Sequence, residues 1–400
     1  MNYLIKLWKE KLDCKRVSVR KTKIKKKINL KGEKYILMED NYRKLQEHLD
    51  KMPIGFPVAK SGSDIRLLKH LFKPEEAEIA QYLRFGWDKD LEPLDKIYER
   101  AKKSGISLKK LEEKLDLMAK KGSITSKREG DKKFYGNAAL IIGIYEFQVN
   151  KLTKEFLKDL EDYVSEIWGK EANPTDYHQL RIIPVDINVK PEQNVAPYDN
   201  IKKLIEDSKG PFVKVNCICR QEMEIHGDPC KMTKHKENCL GIGTMAQNYI
   251  DQGWGTQITK EETLKILHQN QEEGLIFRPN NAQHIDFICS CCYCCDGGIA
   301  SLLKVPDPVN YVDSNYYSQI DPEMCTGCGT CVDRCQLKAI TLTDDIASID
   351  RKRCIGCGNC VLVCPSDAIT LQKKEKVYVP PPTMDDLFNL IQKAKAKLKK

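Results

Sequence analysis

The sequence lacks the features that mark several large classes of protein. No apolar run reaches the ~20 residues that a transmembrane helix needs, and Met1 to Trp8 has neither the long apolar core nor the small-residue cleavage site of a secretory signal. No glycine-rich phosphate loop follows a predicted strand, because Gly241-Ile242-Gly243 is too short for a dinucleotide fingerprint. No residue set resembles a general acid–base pair or an activated nucleophile. We therefore expect a cytoplasmic protein without a membrane span and without standalone catalysis.

The composition predicts several domains and metal sites. A chain of 400 residues is long for one hydrophobic core and suggests two to four domains. The net charge of +9 is concentrated in two basic runs, Lys21 to Lys34 and Lys393 to Lys400. Such tails are typically solvated, and less often contact nucleic acid or an acidic partner. The 18 cysteines of an expected cytoplasmic protein favour metal ligation over disulfides, although the isolated Cys14 is expected to be a free thiol.

Eight cysteines in the last quarter of the chain repeat one spacing. The run C-x₂-C-x₂-C-x₃-C extends from Cys325 to Cys335 and again from Cys354 to Cys364. In bacterial ferredoxins with two [4Fe–4S] clusters, the fourth cysteine of each such run binds the other cluster. The expected ligands are therefore Cys325, Cys328, Cys331 and Cys364 for the first cluster, and Cys354, Cys357, Cys360 and Cys335 for the second.

Zinc is the alternative metal for cysteine pairs of this kind. Two complete runs, each followed by the sequence Ala-Ile-Thr-Leu, argue against it. Residues 318–373 resemble the two-cluster bacterial ferredoxins, which implies a small α+β module with a pseudo-twofold repeat and low-potential one-electron transfer. Pro365 follows the family pattern, whereas Gln336 stands where the first run would have its proline. Exposed clusters are oxygen-sensitive, so we expect an anaerobic host.

Nine further cysteines lie between residues 217 and 295. One additional [4Fe–4S] cluster needs four of them and two clusters need eight. Thiolate-rich ligation fits iron–sulfur clusters or zinc, and His226 and His235 leave a mixed zinc site open. Because adjacent side chains point apart, we expect that Cys291 and Cys292, or Cys294 and Cys295, do not easily bind the same iron site. They could serve two sites, or one of them could be a spare. The candidate ligands are Cys217, Cys219, Cys230, Cys239, Cys289, Cys291, Cys292, Cys294 and Cys295.

The N-terminal part resembles a winged helix–turn–helix. Helices at 93–104 and 107–121 precede a predicted hairpin with a charged tip at 127–133. Its basic residues could contact phosphates, but Glu112, Glu113, Asp116 and Glu129 weaken such a field, and we favour a docking module over DNA binding. The apolar run 138–148 and the helix 152–168 are expected either to pack the N-terminal module or to pair it with a second copy in a homodimer. The basic residues are Lys109, Lys110, Lys114, Lys120, Lys121, Lys127, Arg128, Lys132 and Lys133.

A wider resemblance covers about residues 41–373. The C-I-C-R element at 217–220, the C-S-C-C-Y-C-C element at 289–295 and the trailing ferredoxin segment are similar to a family of multi-domain ferredoxin-type iron–sulfur proteins of anaerobic bacteria and archaea. The resemblance implies electron transfer to or from a redox enzyme or another electron carrier. Asp296 stands where a further cysteine is expected, which puts the ligand count of the upstream site in doubt.

Together these patterns predict an α+β multidomain protein. The expected parts are a basic extension (1–40), a winged-helix-like helical module (41–170), a cysteine-rich α/β metal-binding domain (171–317), a two-cluster ferredoxin domain (318–373) and a basic tail helix (374–400). The predicted function is electron transfer through two [4Fe–4S] clusters and at least one more upstream, as a carrier or oxidoreductase subunit. The alternatives are a redox-sensing DNA-binding regulator and a factor for reductive activation of a metalloenzyme.

Overall fold

The computed structural model describes residues 30–168, 171, 175–185 and 196–398. Most of the predicted basic extension, together with Cys14, lies outside these residues. In the described part of the chain, no helix is both long and apolar enough to cross a membrane. Helices and antiparallel sheets follow one another along the chain in three regions.

The N-terminal region packs helices against a small sheet. Leu45, Leu67 and Leu115 are fully buried in its core. The hydroxyl of Ser107 caps the last long helix before the sheet by accepting a hydrogen bond from Lys110 N (3.4 Å), and Gly122 ends it in a left-handed conformation (φ 77°). The three strands have the order β1-β3-β2. The elements are α1 (Leu30–Leu49), α2 (Ser63–Leu71), α3 (Pro74–Ala80), β1 (Glu92–Pro93), α4 (Leu94–Ala101), α5 (Leu108–Lys121), β2 (Thr125–Glu129), β3 (Lys132–Gly136) and α6 (Lys154–Tyr163).

The middle region contains a five-stranded sheet in the order β6-β4-β5-β8-β7, in which every neighbouring pair is antiparallel. Val213, Leu240 and Ile288 come from the three central strands and are buried. The elements are α7 (Ile201–Asp207), β4 (Phe212–Val215), α8 (Ile218–Ile225), β5 (Cys239–Ile242), α9 (Gly243–Gln252), β6 (Thr256–Ile258), α10 (Lys260–Glu272), β7 (Ile276–Pro279), β8 (Phe287–Cys291) and α11 (Gly297–Leu302).

The C-terminal region repeats a small unit and ends in a helix. Two antiparallel pairs, β9 with β12 and β10 with β11, flank the two cysteine runs. The last helix folds back onto the N-terminal region, where the Asp385 carboxylate accepts backbone hydrogen bonds from Trp87 (3.3 Å), Asp88 (3.2 Å) and Lys89 (3.1 Å). The elements are β9 (Tyr316–Ile320), α12 (Thr330–Arg334), β10 (Ile340–Thr343), β11 (Ile346–Ile349), β12 (Ile369–Lys373) and α13 (Met384–Leu398).

Asp286 lies where these three regions meet. Trp87 Nε1 from the N-terminal region donates to its carboxylate (2.9 Å). Burial, together with the negative charges of Asp88 and Asp385, raises the pKa of Asp286 to about 7. Because this carboxyl keeps its proton to a higher pH in the folded chain than in the unfolded chain, the stability that it contributes is present at low pH and is lost as pH rises to about 7.

We expect Asp286→Asn to remove this part of the pH dependence. Between pH 6 and pH 8, the wild-type free energy of unfolding should fall by about 1 kcal/mol relative to the variant, since an ordinary aspartate has a pKa of about 3.9. Anaerobic thermal unfolding at several pH values measures the difference. The matched control is Asp131→Asn at the exposed hairpin tip, which should leave the profile unchanged. A wild-type free energy of unfolding that does not fall relative to that of Asp286→Asn between pH 6 and pH 8 would contradict the assignment.

Candidate metal centres

The four cysteines expected for the first ferredoxin cluster surround one open cavity. Cys325, Cys328, Cys331 and Cys364 all line a space of about 310 Å³. Gly327 lies between the first two in a left-handed conformation (φ 68°), and a Cβ there would lie 2.5 Å from the Asp345 carbonyl oxygen. Only glycine allows this close turn. The arrangement of thiols around a central space fits a cubane, in which each iron needs its own thiolate.

The second set combines Cys335 from the first run with Cys354, Cys357 and Cys360 from the second. Burial raises the pKa of Cys360 to about 12, and the neighbouring Cys354 and Cys335 act in the same direction. The pKa of Cys357 is raised by burial and by the same neighbours. Four thiolates crowded in an apolar interior need a positive charge between them. The donor set therefore fits a metal cluster.

The two ferredoxin sets differ in exposure. Cys328 of the first set is exposed, whereas Cys354 and Cys360 of the second set are buried. Backbone N–H groups donate to sulfur in both sets, from Ala347 to Cys325 (3.5 Å) and from Ser318 to Cys354 (3.4 Å). Such hydrogen bonds stabilise thiolates and tune the potential of a bound cluster. The first set therefore reaches the surface at Cys328, whereas no cysteine of the second set is exposed.

Five upstream cysteines, which we call the sheet group, lie on or beside neighbouring strands. They are Cys217, Cys219, Cys239, Cys289 and Cys291. Cys217 follows β4 and precedes α8, and Cys239 begins β5. Leu240 pairs with Ile288 across β5 and β8, so the next step of the same register places Cys239 opposite Cys289. Cys289 and Cys291 occupy alternate positions of β8 and share one face.

The sulfur atoms of the sheet group form a continuous series. Cys217 interacts with Cys219 and Cys239, and Cys289 interacts with Cys239 and Cys291. Arg278 of β7 faces this series and pairs with Asp296 through Nη1 and Oδ1 (2.7 Å). Asp296 also caps α11 by accepting from Ile299 N (2.7 Å). The aspartate that replaces an expected cysteine therefore binds an arginine and a helix end.

The remaining four cysteines, which we call the loop group, form a much tighter cluster. Their sulfur atoms all lie within 4.8 Å of one another. Cys230 lies 3.6 Å from Cys292 and 3.8 Å from Cys294, and Cys295 lies 3.8 Å from Cys294. Cys291 belongs to the sheet group and Cys292 to the loop group. The prediction that Cys294 and Cys295 do not share a site is wrong, because residues 293–295 form a turn in which successive side chains do not alternate as they do in a strand.

Neither histidine of this region joins the cysteines. His226 Nε2 pairs with Glu161 (2.8 Å), and His235 Nε2 pairs with Glu273 (3.3 Å). The only compact metal-ligand group of the described chain that contains cysteine consists of the four loop-group thiols. The mixed cysteine–histidine zinc site that the sequence left open is therefore not formed by these residues.

Arg220 lies beside the loop group and is 3% exposed. Its Nη2 atom donates to the Ser290 carbonyl oxygen (3.0 Å) and lies 3.8 Å from Cys292 Sγ. Although burial opposes its charge, the sulfur atoms of Cys217 and Cys292 favour it and hold the pKa of Arg220 above its ordinary value. Arg220 belongs to the C-I-C-R element at 217–220, but the sequence pattern did not predict a role for it. Its position directly after a cysteine was the available signal.

An apolar cavity of about 590 Å³ adjoins the sheet group. Cys239 and Cys289 form part of its wall, together with Glu146, whose carboxylate accepts a hydrogen bond from Gly143 N (2.8 Å). Burial raises the pKa of Glu146 to about 8. Ile142 beside it has a left-handed backbone (φ 61°, ψ 59°), which is strained for a β-branched residue. The large apolar side chains of the wall are Trp87, Phe147, Met245, Tyr249 and Phe287.

The second ferredoxin set packs against the sheet group. Cys291, Cys335 and Cys357 belong to one apolar cluster around the buried Ile276 and Leu337. Gln336 fixes this junction, because its side chain accepts from Tyr293 N (2.8 Å) and donates to the Gly274 carbonyl oxygen (2.5 Å). The glutamine that replaces the expected proline therefore connects the ferredoxin region to the C-S-C-C-Y-C-C element.

Many basic residues of the N-terminal region are neutralised by nearby acids. Lys120 donates to the Gln252 carbonyl oxygen of the middle region (2.6 Å). Four of the nine basic residues that were candidates for phosphate contacts form ion pairs. These pairs are Lys114 with Glu75, Lys121 with Glu76, Lys127 with Asp88 and Lys133 with Asp116. The surface is thus less positive than its lysine content suggests.

Residues 318–371 match the sequence model of the 4Fe-4S dicluster domain. Neither a curated protein nor a solved structure matches the chain. The match covers the C-terminal region that carries both cysteine runs and assigns iron–sulfur clusters to it. Together with the cysteine groups upstream, it indicates an iron–sulfur protein with a role in electron transfer.

Proposed function

We propose that the chain passes single low-potential electrons between a redox partner at its surface and the sheet group in its interior. The observation that carries the proposal is the shared apolar cluster of Cys291, Cys335 and Cys357. It joins the buried ferredoxin set to the upstream cysteines, while the exposed Cys328 belongs to the other set. When bound, [4Fe–4S] clusters supply reversible one-electron transfer.

The ligand assignment follows the two ferredoxin sets. Cys325, Cys328, Cys331 and Cys364 would hold the first cluster at the surface. Cys354, Cys357, Cys360 and Cys335 would hold the second against the middle region. The apolar surroundings of the second set exclude water from this site, which keeps the local dielectric constant low.

A further cluster would be held by four of the five sheet-group cysteines. The contacts run in series from Cys219 through Cys217, Cys239 and Cys289 to Cys291. Among the described residues, no three of these sulfur atoms lie within 4.8 Å of one another, so the set is wider than a single-ion site, and the cavity beside Cys239 and Cys289 leaves open space next to it. Arg278 would offset part of the negative charge of the sheet-group thiolates and the cluster. A chain loaded in this way carries about 12 irons, at four per cubane.

The N-terminal region would dock the redox partner. The order of α4, α5, β2 and β3, with β1 on the far side of β3, supports a winged-helix-like module. Ion pairing of its lysines favours docking over DNA binding, and fold alone does not give function. Absence of duplex binding near physiological salt would exclude the regulator alternative. Copurification of one apo-metalloenzyme would instead favour the activation factor.

The test is electron exchange with a protein-sized acceptor such as cytochrome c, followed anaerobically after chemical reduction. The variant Cys325→Ala with Cys328→Ala should exchange electrons roughly tenfold more slowly than wild type, because the remaining clusters are buried. The matched control is Cys354→Ala with Cys357→Ala. In this variant, electron exchange with cytochrome c should keep its fast phase, with a smaller amplitude. Equal rates in both variants would contradict the surface role of the first set.

A further inference from the structure

We propose that the loop group, Cys230, Cys292, Cys294 and Cys295, binds one tetrahedrally coordinated metal ion, with zinc as the expected occupant, and not an iron–sulfur cubane. The inference goes beyond the proposed electron transfer and does not depend on it. It rests on the separations of the four sulfur atoms, on their burial and on the unpaired charge of a neighbouring arginine.

The sulfur separations fit a single ion. Four thiolates placed about 2.3 Å from one zinc ion at the corners of a tetrahedron lie about 3.8 Å apart. Four of the six observed separations are 3.6 Å between Cys230 and Cys292, 3.8 Å between Cys230 and Cys294, 3.6 Å between Cys292 and Cys294, and 3.8 Å between Cys294 and Cys295. The other two, from Cys295 to Cys230 and to Cys292, do not exceed 4.8 Å. They are far longer than the ~2.05 Å bond of a disulfide.

A cubane requires a wider set. Its four irons occupy separate corners and each carries its own thiolate, so the thiolate sulfurs lie roughly 6 Å apart. The ferredoxin region provides an internal comparison. Within the described chain, none of its eight cysteines belongs to a group with all ligand atoms within 4.8 Å. The four cysteines of its first set line an open pocket instead. The two kinds of cysteine site in this chain therefore differ in size.

The surroundings indicate anionic sulfur. Arg220 is almost fully buried, and no carboxylate forms an ion pair with it in the part of the chain that the structure describes. Its Nε and Nη1 atoms have no hydrogen-bond partner there. A buried guanidinium needs a counter-charge. Cys292 Sγ, 3.8 Å from Nη2, supplies it if the thiol is deprotonated, as metal binding requires.

The site also has the architecture of a structural metal site. Cys230 comes from the loop after α8, and the other three ligands come from the turn after β8, so one ion would connect two segments that are distant in sequence. The Lys231 N–H donates to Cys294 Sγ (3.4 Å), which is the kind of hydrogen bond that orients a ligand. Four protein ligands leave no open position for a substrate.

Metal content and X-ray absorption of the anaerobically purified full chain test the proposal. We expect about one zinc per chain, with a single metal–sulfur shell at about 2.3 Å and no metal–metal distance at the zinc edge. Iron in the same site would appear as about one iron in excess of acid-labile sulfide and would support the same single-ion geometry.

The variant Cys294→Ser with Cys295→Ser should lose this ion, at least tenfold in occupancy, and keep its sulfide content. The matched control is Cys14→Ser, which should keep every metal. If the double variant does not fold, X-ray absorption of the wild-type chain still distinguishes a single ion from a cubane. Two results would overturn the proposal. One is that the double variant loses about four irons together with their sulfide. The other is that the wild-type chain contains neither zinc nor excess iron.

Discussion

In a chain that already carries Cys325→Ala and Cys328→Ala, the further change Cys335→Ala should reduce the remaining ferredoxin iron, whereas Cys364→Ala should not. The starting pair of changes removes two ligands of the first cluster and should cost about four irons. Cys335 belongs by geometry to the second set, next to Cys354 and Cys357. Cys364 lines the cavity of the first set, which the starting pair has already disabled.

Iron and acid-labile sulfide per chain measure this effect, and electron paramagnetic resonance distinguishes a lost cluster from a three-iron form. The upstream sites are the same in all the variants, so their iron cancels in the comparison. If each run bound its own cluster, the result would be reversed. Cys364→Ala would then damage the second cluster and Cys335→Ala would change nothing.

Local spacing made the ferredoxin region predictable from the sequence, and the dicluster match to residues 318–371 confirms it. Each run places three ligands within a few residues, and glycines such as Gly327 allow the turn, so tertiary structure adds little information. The helix predicted at 107–121 is α5 (Leu108–Lys121) for the same reason, since Ser107 and Gly122 are local signals at its two ends. Where the determinants were contiguous, the pattern was sufficient.

The upstream cysteines could not be divided into groups in this way. The division depends on β4, β5 and β8 being neighbours in the sheet, which brings Cys217, Cys239 and Cys289 together. It also depends on the chain leaving β8 after Cys291 and turning. The error over Cys294 and Cys295 arose from applying strand alternation to a turn. Arg220 was missed because its contacts, Ser290 and Cys292, are distant from it in sequence.

Gln336 departs from the ferredoxin pattern, and the reason is visible only in the folded chain. A proline at this position would have no side-chain acceptor for the Tyr293 N–H and no donor for the Gly274 carbonyl oxygen. The glutamine makes both contacts and is 8% exposed. It thereby holds the second ferredoxin set against the strand that carries Cys291.

We therefore expect Gln336→Leu to loosen this junction. The substitution leaves the half-buried Tyr293 N–H without its acceptor, which costs about 1–3 kcal/mol. Local opening should accelerate amide hydrogen exchange in residues 291–295 by roughly 5- to 100-fold. The Gly274 oxygen keeps a second donor, Asn359 Nδ2 (3.0 Å), so the ferredoxin region should remain folded and keep its iron.

Exchange measured by mass spectrometry on the anaerobic protein is the readout. Gln319→Leu, the same substitution at an exposed position of β9, is the matched control and should leave residues 291–295 unchanged. Gln336→Pro, which restores the ferredoxin pattern, should accelerate exchange as Gln336→Leu does, because the proline ring also lacks an acceptor for Tyr293. Unchanged exchange in both Gln336 variants would show that this junction is held by other contacts. The electron route proposed between Cys335, Cys357 and Cys291 would then not depend on Gln336.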